Sequence, residues 1–532
     1  MSGILGYRAP EELLGPEEVR PGGVILRGRI SRGLVEEISR IKREPEWMLR
    51  LRLRALELFE SLPTPQWLRG VEDLDLDQIS AYVSSGSPRA ESWSELPDYM
   101  RKYYERLGIP ELEARFLSGL TAVLDSETVY FRMKEYLEKL GVILLPMEEA
   151  VQRYPDLVRE HFSRVFPPSD HKFAALHTAL WSGGAFVYVP KGVRVPQPIE
   201  AYFIIGGSLE GQFEHTLIVA DEGSELTFIE GCSAPMLKNY SFHDGMVEIH
   251  ALRGSRVKFI TVQNWSRNVI NFNNKRAIAE EDATVEWVEG SIGSRVTYTY
   301  PSTILRGRGS RTSNVVVGIA NGPYLKDTGS KVIHAAPDTR SSIVSKNISN
   351  GGGVNVYRGL VRMLKGATNS VSHVECSSLI MDKASKAHTY PHVQLEEPTA
   401  SASHEATTSR LTEDQLFYLR SRGLKEGEAK SLIVLGFLQD VMQDLPIEYV
   451  SVLTKVMQVE FSEVGGLGRD PRRGTRVPED LGLPHRQALH RLERVRALLI
   501  RCLPVLGGRL LLSNRRECPD RGDAAGLPDA GS

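Results

Sequence analysis

The chain has 532 residues, 41% hydrophobic and 25% charged, enough for two to four domains that each bury a core. A net charge of −2 gives no electrostatic case for nucleic acid or an anionic membrane as partner. Four cysteines, Cys232, Cys376, Cys502 and Cys518, never stand at CxxC spacing, which argues against a disulfide framework, a zinc finger or a ferredoxin-type motif.

Residues 1–180 read as a mainly helical domain. The opening "MSGILGYRAP" has no apolar core or cleavage site of a signal peptide, so a cytoplasmic location is expected. "GLVEEISRIKREPEWMLRLRLRALELF" carries apolar residues at helical spacing and breaks at Pro45, whose missing N–H and bulky ring end a helix. "SETVYFRMKEYLEKLGVIL" predicts a second amphipathic helix closed by Gly141.

From 181 to 405 the texture changes to short runs with two-residue alternation, such as "ELTFIEG", "RVKFITV" and "TVEWVEG". A Gly or Asp followed by a small residue recurs at Gly223-Ser224, Gly254-Ser255, Asp282-Ala283, Gly309-Ser310, Asp338-Thr339 and Gly366-Ala367. The interval is about 28 residues, within the range of stacked repeats. Gly and Asp tolerate the left-handed backbone of a tight bend. A unit this short cannot bury its own core, so neighbours stack. The spacing is too tight for a four-stranded propeller blade, and a mainly β fold with a β-helix core follows, a β-sandwich being the alternative.

Residues 406–465 return to helix. Thr412 and Gln415 have capping-box spacing, and Pro446 suits the first turn of a later helix. Residues 466–532 contain many arginines and no lysine, and read as a disordered or non-native extension. A basic nucleic-acid arm is the lesser reading of that tail. Its apolar stretch "ALLIRCLPVLGGRLLL" is interrupted by Arg501, Pro504 and Arg509, too early for a membrane span.

Enzyme signatures are scarce. No Gly-Lys dipeptide occurs, hence no Walker A loop, and neither GxSxG nor HExxH is present. A β-helix with acidic turns such as "AEEDAT" could suit a polysaccharide-cleaving enzyme, but charged turns are usually just solvated. "ASASHEATTSRL" places His404 beside Glu405 where the β-coil hands over to helix. Neighbours on an extended chain point to opposite faces, so the two do not share a strand surface. Alone, this stretch reads as a solvated loop.

"EPEWMLRLRLRAL", "YVPKGV", "EGCSAPM", "TVQNW", "YRGLV" and "SHEATTSRLTEDQLFYLRSRG" resemble the SufB family, scaffolds of Suf iron–sulfur cluster assembly, in order from about Gly33 to Gly465. The resemblance implies a β-helix between an N-terminal domain and a C-terminal helical domain. It implies a non-enzymatic scaffold for a transient iron–sulfur cluster, working with a separate Suf-type ABC ATPase docked on the C-terminal helices. Further implied partners are a SufD-like paralogue or a second copy of the chain, and a cysteine desulfurase as sulfur donor. Cys232 matches the sulfur-accepting cysteine. Gln263, Trp265 and Lys275 match positions associated with passing sulfur along the inside of the helix, although each also reads as an ordinary strand residue. Cys376, His404 and Glu405 match the cluster-building end, where thiolate, imidazole and carboxylate are sound iron ligands.

Departures from the family pattern are Ser403 in place of a carboxylate, and Ile204 and Gly206 in place of an Arg and an Asn; no cysteine precedes Cys232. These leave a SufD-like structural subunit as the alternative function. A reduced flavin accompanies some complexes of this family, but no residue pattern here identifies a site for it.

Overall fold

Left-handed bends recurring along the chain set the architecture, a flattened parallel β-solenoid of about eight turns. The computed structural model describes residues 23–84, 89–90, 92–96, 117, 119–207, 209–234, 239–442 and 461. All of these belong to one compact unit, Gly3–Asp470. The expected helix after Pro446 and the Arg-rich tail, with Cys502 and Cys518, lie outside the described residues.

Gly223, Gly254, Asp282, Gly309 and Asp338 have φ between 53° and 72°. Each precedes a fully buried small residue (Ser224, Ser255, Ala283, Ser310, Thr339) and starts a strand two positions on. In the next coil that place belongs to Asn369, at φ 56°, and not to Gly366 three residues earlier, which makes a separate left-handed bend. Ser370 then stacks under Thr339, with 2.7 Å between their hydroxyl oxygens. Glycine was the more conspicuous residue, but asparagine also tolerates this conformation.

Successive strands alternate between two sheets. The first contains, in hydrogen-bonded order, Ile199–Ile204, Glu225–Ser233, Arg256–Trp265, Thr284–Gly293, Arg311–Asn321, Arg340–Asn350, Val371–Ile380 and Ser401–Arg410. The second includes His215–Ala220, Ser241–Ala251, Val269–Ala279, Leu325–His334, Val354–Met363 and Lys386–Leu395. Pairing is parallel and in register, so equivalent residues of neighbouring coils lie side by side. Phe228, Phe259 and Trp287 stack this way inside the coil, with centroids 5.5 and 5.3 Å apart.

Helices Arg32–Ile41 and Glu46–Ser61 flank Pro45 as expected. Helix Lys172–Leu180 carries Phe173, Leu176 and Leu180 into a cluster with Phe213, Phe242 and Phe272 of the coil. Fully buried Arg52 pairs with Glu44 at 2.7 Å and donates to the carbonyls of Ala179 and Trp181 at 3.0 and 2.8 Å, closing the end of that helix.

The predicted helix through "SETVYFRMKEYLEKLGVIL" does not form. Strands Gly119–Leu124 and Glu127–Met133 pair as a hairpin on the first sheet, and only Glu135–Lys139 is helical before strand Ile143–Pro146. Val129 and Tyr130 are buried in a sheet-edge cluster, and pairing to that edge overrides the helical spacing. Gly141 does make the left-handed turn, at φ 77°.

After the coil, the Thr412–Gln415 capping box forms, and helix Glu413–Ser421 follows. Helix Glu426–Phe437 lays Val434 against Ile229, Ile260, Val288 and Val315 on the outer face of the first sheet.

Candidate functional site

Inward-facing residues of the first sheet form columns. Glu230, Thr261, Glu289, Val316, Ser345 and Cys376 are successive register partners, one per coil. Cys232, Gln263, Ser291, Gly318, Asn347 and Ser378 form the next column. Cys232 and Cys376 therefore face the same interior, five strands apart, or about 24 Å at the usual strand spacing.

Around Cys232 the interior is closed and charged. Cys232 is 1% exposed, and its thiol donates to Glu230 Oε1 at 4.0 Å. The Lys275 ammonium reaches across from the second sheet to Glu230 and Glu289, 3.0 Å from each, and to Thr261 Oγ1 at 2.7 Å. Burial alone would push the Lys275 ammonium down, but the two carboxylates outweigh it and hold it raised. Burial holds Glu289 above the usual carboxylate range, against Lys275. Burial, with Glu230 and Glu214 adding repulsion, pushes the Cys232 thiol well above its ordinary value.

Gln263 and Trp265 belong to the same interior. Trp265 Nε1 donates to Gln263 Oε1 at 3.4 Å, which also accepts from Asn273 at 3.0 Å. Trp265 packs on His243 with centroids 4.5 Å apart, and His243 bridges Glu214 at 2.6 Å and Asn271 at 2.7 Å. The four expected residues thus meet in one interior, Cys232, Gln263 and Trp265 from the first sheet and Lys275 from the second. Glu230, Glu289, Glu214 and His243 were missed, although "ELTFIEG" and "TVEWVEG", two repeats apart, end in the same Glu-Gly. Of the departures, Ile204 is buried and Gly206 donates its N–H to Asp125 at 2.6 Å.

At the far end, His404 and Glu405 lie on a strand, Ser401–Arg410, not in a loop. It is the terminal strand of the first sheet, and alternation along it separates the pair as expected. His404 points inward, its Nε2 3.2 Å from Cys376 Sγ. The Tyr357 ring stacks near His404 at 6.4 Å. Burial pushes the Cys376 thiol up to about 12, against the nearby Tyr357, which lowers it. Glu405 is exposed on the outer face, in register with Glu375, which pairs with Lys346 at 3.0 Å. Ser403, also outward, bonds His373 at 2.8 Å.

Among the described residues no group of three or more His, Cys, Asp or Glu side chains is placed to hold a metal ion. Cys376 and His404 bring together two side chains of ligand type, a thiol and an imidazole. No described helix is long and apolar enough to cross a membrane.

The chain matches "SUF system FeS cluster assembly, SufBD core domain" over residues 203–437 and "SufBD protein N-terminal region" over residues 42–201. It is 43% identical to "Iron-sulfur cluster assembly protein SufB" of Bacillus subtilis over 439 residues, 82% of this chain and 94% of the relative. A SufBD family protein of Staphylococcus epidermidis is 42% identical over 83% of this chain and 95% of its own, and one of Staphylococcus haemolyticus 41% over 82% and 94%. The chain belongs to the SufBD family of iron–sulfur cluster assembly proteins.

Proposed function

We propose that this chain is the SufB-type scaffold subunit on which nascent iron–sulfur clusters are built. Cys232 takes in persulfide sulfur, the interior lined by Gln263, Trp265 and Lys275 passes it along the coil, and Cys376 with His404 holds iron and sulfide at the open end. The observation that carries this reading is the 3.2 Å approach of Cys376 and His404, in the interior that also contains Cys232. A soft thiolate with a borderline imidazole suits iron bound transiently. Glu405, on the outer face of the same strand, enters the site only through movement of that open end.

The remaining partners fit the same reading. Strands Lys386–Leu395 and Ser401–Arg410 each have a neighbour on one side only among the described residues, an edge suited to a SufD-like paralogue or a second copy. Phe417, 73% exposed on helix Glu413–Ser421, suits docking of the ABC ATPase. ATP hydrolysis belongs to that partner, and a cysteine desulfurase supplies sulfur. The chain acts in the cytoplasm and is not itself an enzyme. Against the alternative, a structural SufD-like subunit, stands the presence of both Cys232 and Cys376.

The test is anaerobic reconstitution with the ATPase partner, iron and a desulfurase, reading visible absorption and bound iron. Wild type is expected to gain a chromophore that Cys376→Ala lacks while the complex stays assembled. A folded wild-type complex that gains no cluster would leave the structural subunit instead.

A further inference from the structure

We propose that Glu230 is the residue that removes the proton from Cys232 when sulfur is taken up. The inference rests on the sulfur-accepting role of Cys232 given above and deepens it. A persulfide is attacked by a thiolate, not a thiol. Cys232 is fully enclosed, and the groups around it raise its thiol, so it rests protonated and needs an acceptor within reach. Glu230, two residues earlier on the same strand and face, accepts from the thiol at 4.0 Å.

The surroundings of Glu230 suit that role. Its Oε1 also receives Lys275 Nζ at 3.0 Å and Thr261 Oγ1 at 3.3 Å. Lys275 is shared with Glu289, so one ammonium faces two carboxylates, and Glu289 receives Thr299 Oγ1 at 3.3 Å. When Glu230 gains a proton, Lys275 keeps Glu289 as counter-charge and no buried cation is stranded.

The step balances. The Cys232 S–H bond breaks and its proton goes to Glu230. Cys232 Sγ then bonds to the terminal sulfur of the donor persulfide, whose own S–S bond breaks. The donor sulfur leaves with the electron pair as a thiolate, and Cys232 becomes a persulfide, with no net oxidation. Glu230 returns the proton when the terminal sulfur moves on and the Cys232 thiol re-forms.

Glu230→Gln separates this role from a purely electrostatic one, because the two predict opposite signs. A carboxylate that merely repels the thiolate would, once neutralised, leave Cys232 more reactive. A proton acceptor, once lost, leaves it less reactive. The full-length protein is mixed anaerobically with a small alkyl persulfide, and sulfur on Cys232 is followed by mass spectrometry of the peptide. Wild type is expected to load fastest, Glu230→Asp more slowly, and Glu230→Gln about 100-fold more slowly, the usual size of a general-base contribution.

Loading by Glu230→Gln at or above the wild-type rate overturns the proposal. Should Glu230→Gln fail to fold, Glu230→Asp keeps the charge beside Lys275 but withdraws the carboxylate by one methylene, and an unchanged rate there overturns it equally. A wild-type protein that gains sulfur on other residues but none on Cys232 overturns the sulfur-accepting reading itself, and this proposal with it.

Discussion

The two ends of the solenoid interior hold their polar groups by opposite means. Around Cys232, the polar groups are enclosed and bonded to one another: Lys275 lies between Glu230 and Glu289, and His243 meets Glu214. Around Cys376, the coil ends in two strands whose outer edges have no described neighbour, and His404 is only half-buried. A closed network of ion pairs fixes geometry but tolerates no missing member. On the scaffold function proposed above, an open end with two ligand-type side chains keeps coordination positions free and can release what it binds, and a chain that receives sulfur in one place and gives up a finished cluster in another has use for both.

This contrast can be broken most forcefully at Lys275. Lys275→Met leaves two buried carboxylates without their cation, and a loss of about 3–5 kcal/mol in chemical denaturation is expected. A loss below about 1 kcal/mol would show that the network is hydrated and adaptable, like the far end.

Acid tests two buried histidines elsewhere in the solenoid next. Burial lowers His250 and His334 to about 4, so both are neutral in the folded chain. In the unfolded chain they take up protons from about pH 6.5 downward. Their stabilising contribution is therefore complete above that pH and is lost as pH falls through the window down to about 4. The unfolding free energy should fall by about 1 kcal/mol per pH unit for each histidine over that range. His334→Gln, which keeps hydrogen-bonding capacity beside Thr339 and Ser341 but does not titrate, should flatten the slope.

The open end should respond in function, not in stability. His404→Ala is expected to cost less than about 1 kcal/mol, as a half-buried substitution near an edge. Bound iron after reconstitution should nevertheless fall about tenfold, the scale on which a lost ligand-shell group lowers metal affinity. Glu405→Ala should change stability by less than about 0.5 kcal/mol, as an exposed site. An iron loss as large as that of His404→Ala would bring Glu405 inside the site in the assembled complex.

Much of the solenoid was legible because its bends demand particular residues. A left-handed φ selects Gly, Asp or Asn, and that preference shows through at Gly223, Gly254 and Asp282 without any knowledge of the strands. The hairpin at 119–133 was not legible, since its residues satisfy a helical period equally well and only the waiting sheet edge decides. The separation of His404 from Glu405 followed from strand alternation, although the strand itself read as a loop. Glu230 escaped notice because "ELTFIEG" reads as an ordinary alternating strand. Its meaning comes from Lys275, 45 residues away on the other sheet.

The in-register stack also imposes a rule of length. Cys232 and Cys376 sit on rungs of one ladder, so the gap between them can change only by whole rungs of about 4.8 Å. Each rung requires a complete coil of chain, bend included. Lengthening a coil at its bend leaves the rungs untouched, whereas one residue added within a strand turns every later side chain of that strand inside out. The distance between the two thiols is thus counted in coils, and small insertions cannot adjust it gradually.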